Sequence, residues 1–375
     1  MEAKSPMGTF SRKVGRVTDC HVHLGGLASL GNLKQIREHL GLDRINLAGI
    51  VEPKSGAGPA QGLYAKADSP GAFYCFGGLN HAAALSGGKV ATPSLAEQVG
   101  MLMSAGCDGI KLIESKPTWR RKLPFAADGG YYRDFFARVE AAGVPLLWHV
   151  ADPEEFWDPQ RVPAWAAEHG WAYGADDVAK EELYGEVEAV LKRHPKLAVI
   201  FAHFYFLSAD LARAEEFLAA HPRVKLDLAL GIELLFNLSR RPMAAREFFI
   251  AHQDRIVFGT DIGSAAAPAR AAARAGLLRR FLETDETFTV PSEADDLLEP
   301  GGRAQVRGLD LPAEVLAKVY SGNFEAFAGE APRPVDVDQA MAECHRQAEI
   351  AAAMSGTAAA DTEAGRCAAA FQRLT

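Results

Sequence analysis

From about residue 16 to residue 290, short apolar runs alternate with longer stretches of helical periodicity. Eight apolar runs are readable: RVTDCHVHL (16–24), RINLAGIV (44–51), AFYCFGGL (72–79), CDGIKLI (107–113), GVPLLWHV (143–150), KLAVIFAHF (196–204), RVKLDLAL (223–230) and DRIVFGTDI (254–262). Several are apolar almost throughout, as strands buried on both faces of a parallel sheet are. Between them, residues 94–106, 131–143, 177–195, 209–222 and 242–254 have the apolar spacing of helices. Ser94 and Asp177 stand where N-caps are expected, and Gly106 and Gly143 where helices stop. The intervals before the second and third runs carry weaker helical patterns. A strand–helix alternation repeated eight times predicts a (β/α)8 TIM barrel. The rival, a doubly wound open sheet, would be favoured by GxGxxG in the first strand–helix turn, and HLGGLASLG does not supply it.

Beyond residue 290 the pattern changes. Residues 291–310 read as an acidic, glycine-containing loop and 311–329 as a closing helix pair. The alanine-rich stretch from about 335 reads either as helix packed on the outside or as partly loose chain. The expected division is a barrel over 16–330 and a helical tail over 331–375.

Composition narrows the function classes. The 375 residues are 48% hydrophobic and 23% charged, values of a globular enzyme-sized chain rather than a disordered or fibrous one. With 40 Lys+Arg against 48 Asp+Glu, the net charge of −8 argues against nucleic acid as a partner, because phosphate binding wants a basic face. The five cysteines form no CxxC pair and read as buried free thiols of a reducing compartment. The segment MEAKSPMGTFSRKVG has no apolar core of a secretory signal, and no run reaches the length of a membrane span. A cytoplasmic protein with a small-molecule substrate is expected.

The chemistry collects at the ends of the apolar runs. In CHVH, His21 and His23 lie two apart, so strand alternation turns both toward one face. Such a pair is weak evidence alone. It is strengthened by Lys111 in the fourth run, His149 ending the fifth, His203 ending the sixth and Asp261 ending the eighth. Taken singly, each reads equally well as a satisfied core histidine or a helix-capping aspartate. Taken together, they fall at the end where barrel enzymes keep their active sites. Buried imidazoles and a carboxylate are costly unless something joins them, and a divalent cation would. Three or four N/O ligands with an open position describe a catalytic Zn²⁺ site, and the same donors admit Mn²⁺, Fe²⁺ or Co²⁺.

At these residues the chain resembles the amidohydrolase superfamily, whose pattern is HxH on strand one, often Lys on strand four, His on strands five and six, and Asp on strand eight. The wording of DCHVH, WHV, AHF, FGTD and SGNFEAF (321–327) is closest to the branch containing aminocarboxymuconate-semialdehyde decarboxylase. The resemblance spans about residues 16–330. It implies that His21, His23 and Asp261 hold a metal, with His149, His203 and Lys111 as further ligands. It also implies that Asp261 and His203 carry the acid–base work, and a homodimer is consistent with it. Lys111 has three readings: neutral, swung toward a substrate carboxylate, or carbamylated and bridging two metals.

Three loop residues are candidates for substrate contact. Arg120 lies in the basic stretch ESKPTWRRK (114–122), Trp157 in the long aromatic segment 151–177, and Glu233 after the seventh run. A long aromatic loop in a compact barrel reads as a lid or a substrate wall, or simply as a loop packed on its own barrel. The first functional expectation is a metal-dependent hydrolase using metal-activated water on an amide, lactone, ester or amidine-like bond of a small polar or aromatic substrate. The alternative is a metal-dependent non-oxidative decarboxylase or hydratase of the same branch. A non-catalytic barrel with a vestigial metal site is the reading from another class.

Overall fold

The structure, a computed structural model, describes residues 15–291 and 305–374. Its main sheet runs β1 (Thr18–His23), β2 (Arg44–Ala48), β3 (Phe73–Gly78), β4 (Gly109–Ser115), β5 (Leu146–Val150), β6 (Val199–Phe201), β7 (Val224–Asp227) and β8 (Ile256–Val257), with a short β9 (Ile262–Gly263). All pairings in this sheet are parallel and consecutive strands are neighbours. β8 pairs with β7, whereas β9 pairs with β1 (Val22↔Ile262, His23↔Gly263). β8 and β9 are therefore two halves of one broken eighth strand. Between them Cys20 N donates to Phe258 O (2.9 Å), which closes the ring. The expected (β/α)8 barrel is what forms.

Alternation explains the interior. Inward-facing Tyr74, Phe76, Leu147, Ile200 and Val257 form a separate cluster with Cys20, Ala48, Ala202 and Phe324. Their strand neighbours Phe73, Cys75, Leu146, Trp148, Val199, Phe201, Ile256 and Phe258 face the surrounding helices. This is the filled core of a small barrel rather than a pore. Gly109 is required here, because a Cβ would lie 2.8 Å from the Phe76 ring. Phe324, on the helix Asn323–Ala328, stands edge-on to Tyr74 at 5.1 Å and plugs the end opposite the site.

The helices expected at 94–106, 131–143 and 242–254 appear as Leu95–Ala105, Arg133–Ala142 and Pro242–Ala251. Those expected at 177–195 and 209–222 appear as Lys180–Arg193 and Leu211–Ala220. Ser94 caps its helix by accepting from Glu97 N, with Glu97 completing the capping box. Gly106 (φ +106°) and Gly143 (φ +64°) are left-handed stops. Asp177 is not a cap. Its carboxylate is held by Arg121 (2.6 and 2.9 Å), and the helix begins three residues later. Most of the acidic stretch 291–310 lies outside the described residues, and Gln305–Arg307 pairs antiparallel with Thr287–Thr289. The tail forms helices Val337–Ser355 and Glu363–Phe371, packed together and against the helices Pro59–Asp68 and Leu95–Ala105. All five cysteines are free and buried. Among the described residues no helix is long and apolar enough to cross a membrane.

Candidate active site

β1 carries a register irregularity between Asp19 and Val22. Strict alternation would send Cys20 and His21 to opposite faces. The irregularity lets Cys20 pack inside the barrel while His21 and His23 turn to its mouth. Asp261 sits in the break of the eighth strand with φ +58° and donates its N–H to His21 O (2.8 Å). Thr260 donates its hydroxyl (2.5 Å) and its N–H (3.0 Å) to Asp19, which also accepts from His21 N (3.1 Å). That buried carboxylate pins the seam between first and eighth strands. The result is a three-residue group: one donor atom each from His21, His23 and Asp261, all within 4.8 Å of one another.

The protonation pattern of the imidazoles follows from their outer partners. His23 Nδ1 meets Ala48 O (2.8 Å), His203 Nδ1 meets Ala229 O (3.2 Å), and His149 Nε2 meets Ala151 O (3.0 Å). A carbonyl oxygen can only accept, so each of these nitrogens carries the proton. His21 Nδ1 likewise faces the Asp227 carboxylate (2.8 Å), which also accepts from His203 N (2.7 Å) and Ala229 N (3.0 Å). A ring that is neutral then turns a lone pair inward. Two close contacts become acceptor against acceptor: His23 Nε2 to Asp261 Oδ1 at 3.2 Å, and His203 Nε2 to His149 Nδ1 at 3.2 Å. Such contacts hold only with positive charge between them, from protons or a cation. Two imidazoles and a carboxylate in this array fit a divalent cation by donor chemistry and by spacing.

The surroundings disfavour protonating His21 and His203 instead. Burial, reinforced by the adjacent Lys111, holds His21 well below the usual imidazole range. Burial and the facing His149 do the same to His203. Burial works to raise Asp261, yet its close contact with His23 and the other facing imidazoles hold the carboxyl well below its usual range. Lys111 is buried and donates to His21 Nε2 (3.1 Å), the lone pair a cation would also use. Burial lowers the Lys111 ammonium to about 8, against the opposing pull of Asp227 and Asp261.

The structure places the other sequence candidates as follows. His149 and His203 touch each other, and the His203 ring centroid lies 5.4 Å from that of His21, so this pair stands beside the three-residue group rather than in it. A cavity of about 90 Å³ opens over the pair, lined by Lys116, Phe156, Trp165, Trp171, Phe206 and Asp261 among others. Arg120 lies elsewhere. It forms a two-pronged pair with Glu186 (2.8 and 2.6 Å) and does not line this cavity. Lys116 lines it instead, held by Asp152 (2.5 Å) and lying over Trp171 at 4.6 Å. Trp157 stands one layer back, packed on Tyr173 and donating to Val178 O (3.2 Å). Glu233 is buried with neither carboxylate oxygen hydrogen-bonded, against Gly231 of the cavity wall, where a Cβ would meet it at 2.5 Å. Burial pushes its carboxyl up to about 7.

Asp227 and His81 were not picked out from sequence. Asp227 lies inside the seventh run (RVKLDLAL), between Lys225 and Leu228–Leu230, and only the fold shows that it closes the strand. His81 follows β3 at the same rim and bridges Glu114 (2.8 Å) and Tyr131 (2.9 Å). Its context, GLNHAA, carried no signal.

A barrel with imidazoles and a carboxylate converging at the C-terminal mouth defines a cation-site enzyme fold. The profile of the amidohydrolase family matches residues 76–327, about two thirds of the sequence, and the chain belongs to that family. No curated protein sequence matches it. Among solved structures it is similar to 5-carboxyvanillate decarboxylase from Novosphingobium aromaticivorans, solved with manganese (14% identity, 87% of this chain and 99% of that one, TM-score 0.49). It is also similar to 2,6-dihydroxybenzoate decarboxylase from Rhizobium (14%, 84% and 98%, TM-score 0.46). A third is a candidate 2-pyrone-4,6-dicarboxylic acid hydrolase from Pseudomonas putida (13%, 84% and 97%, TM-score 0.46).

Proposed function

We propose that the chain is a divalent-cation-dependent hydrolase of a small, planar, anionic substrate. The observation that carries this is the pair of acceptor-against-acceptor contacts at the mouth, which call for a cation beside a carboxylate. His21, His23 and Asp261 would hold it. When bound, it supplies Lewis acidity, polarising a carbonyl or lowering the pKa of a water. Asp261, partly open to the mouth, takes a proton during attack and returns it to the leaving group. His203 and His149 stabilise the developing oxyanion only with a proton carried between their inward nitrogens, 3.2 Å apart. Lys116, at the cavity wall, attracts a substrate carboxylate. Phe156, Trp165, Trp171 and Phe206 offer flat walls to a ring.

A second reading, non-oxidative decarboxylation, is favoured by the aromatic lining of the same cavity beside Lys116, which suits a flat ring carrying a carboxylate. There His203 or Asp261 would protonate ring carbon as carbon dioxide leaves. One experiment addresses both. Chelated protein, reloaded separately with Zn²⁺ and Mn²⁺, is incubated with carboxylated lactones and with hydroxybenzoic acids. Ring opening without gas supports hydrolysis, and carbon dioxide release supports decarboxylation. Turnover that persists in fully chelated protein would overturn the cation-dependent reading. The cation count separates the states of Lys111: one per chain goes with a free amine, two with a carbamate bridge.

A further inference from the structure

The tail helices touch three consecutive loops of the catalytic rim. Behind β1, Leu27 N donates to Glu363 Oε1 (2.5 Å), four residues past His23. Behind β2, Ser55 O accepts from the first amides of the last helix, Glu363 N (2.9 Å) and Ala364 N (3.3 Å). Gly56 there has φ +68°, and a Cβ on it would lie 2.8 Å from Ala364 Cβ and 3.0 Å from Gln347 O, so only glycine fits that contact. Behind β3, Asn80, the residue before His81, donates through Nδ2 to Gln347 Oε1 (2.6 Å). Glu363 also accepts from Gln61 Nε2 (3.0 Å), whose own Oε1 accepts from Gly58 N (3.4 Å). One carboxylate thus ties the β1 loop to the β2 loop.

A helix pair serving only as outer cover would bury apolar area against the barrel's helices. It would have no need for charged hydrogen bonds to the backbone of rim loops. His23 is the most exposed of the four imidazoles, with 30% of its side chain open; its ring meets Ala48 O and Asp261, its carbonyl accepts from Ser264 N, and the loop that follows it is the further constraint on its position. We infer that the C-terminal helix pair is a clamp on the catalytic rim, with Glu363 the positioning residue that fixes the loop behind His23. The clamp makes the tail part of the catalytic unit, although it lies beyond the family match. Its effect on cation affinity rests on the reading of His21, His23 and Asp261 as the cation site; its effect on the loop does not.

Two measurements on the full chain test this. The variants are Glu363→Ala, which removes the acceptor, and Glu363→Gln, which keeps one carbonyl oxygen. Hydrogen exchange at the Leu27 amide reports the loop without any metal. In Glu363→Ala it is expected to accelerate about tenfold or more while exchange within β5 and β6 is unchanged, with Glu363→Gln intermediate. Titration of chelated protein with Zn²⁺ reports the site, and about tenfold weaker binding is expected in Glu363→Ala, the lower end for residues supporting metal ligands. Unchanged Leu27 exchange in Glu363→Ala overturns the clamp. Faster exchange with unchanged Zn²⁺ affinity overturns the positioning of His23. If the unsubstituted protein binds neither Zn²⁺ nor Mn²⁺, the cation reading itself fails, and Leu27 exchange still decides the clamp.

Discussion

Asp261 and Asp227 are both carboxylates at a strand end, yet the structure gives them different work. Asp261 belongs to the three-residue group and is partly exposed, so Asp261→Asn is expected to lower kcat at least about 10³-fold. Asp227 is fully buried and fixes the His21 tautomer while holding the His203 backbone. Asp227→Asn keeps the shape and weakens that charge-assisted bond. Cation affinity measured by calorimetry should fall about 10- to 100-fold, as for partners of metal-ligating histidines. Glu233 gives a pH prediction. Its folded pKa of about 7 lies above its ordinary 4.5, so the folded state holds the extra proton between those values. Stability from this group is full below pH 4.5 and is lost as pH rises through 7, by about 3 kcal/mol at most. Glu233→Gln should therefore melt higher than the parent at pH 8, with the gap closing near pH 4.5; an equal gap at both pH values would contradict the buried, unpaired carboxyl.

Between β6 and the next helix, His203, Phe204, Tyr205 and Phe206 all have positive φ, from 50° to 56°. A left-handed turn of non-glycine residues costs roughly 1–2 kcal/mol per residue, so packing must hold it. Asp227 accepts from His203 N, and Tyr184 donates its hydroxyl to Tyr205 O (2.9 Å). The Tyr184 and Tyr205 rings lie 4.6 Å apart, and Phe217 packs on Tyr205 at 4.7 Å. The turn swings His203 inward onto His149. Tyr184→Phe removes one hydrogen bond, worth about 1 kcal/mol of stability. Turnover should drop more than that loss explains, because relaxing the turn moves His203, and a parent-like kcat would show that the brace is dispensable. Nothing in KLAVIFAHFYF signals this turn. Leu and Phe-rich runs read as strand, and the left-handed path exists only because Asp227, Tyr184 and Phe217 arrive from elsewhere in the chain.

Taken as one body, the protein is a barrel whose catalytic rim is built by loops from every strand and held on one side by the tail. A cation that binds the folded state alone should stabilise it. At a concentration about 100 times its Kd, the gain is about 2.7 kcal/mol, and chelation should remove it. Differential scanning calorimetry with and without chelator measures this, and identical melting curves would contradict a folded-state cation site.

How much of this was readable beforehand differs between elements and site. The eight runs and five helices were legible because strand and helix spacing is local, and a residue's own neighbours set it. The inward set of His21, His23, His149, His203 and Asp261 was legible because a polar residue ending a buried strand is expensive without a purpose. Arg120 and Lys116 show the limit. Both are cations in one short loop, and sequence offers no reason to choose between them. Glu186, 66 residues further on, captures Arg120, while Asp152 leaves Lys116 at the cavity. The same holds for the broken eighth strand, the left-handed His203 turn and the grip of Glu363 on Leu27. Each depends on which distant groups meet when the ring closes. Periodicity along the chain carries the architecture and the identity of the inward donors. Only the closed fold pairs each buried charge with its partner, because electrostatics and hydrogen bonds act through space rather than along the backbone.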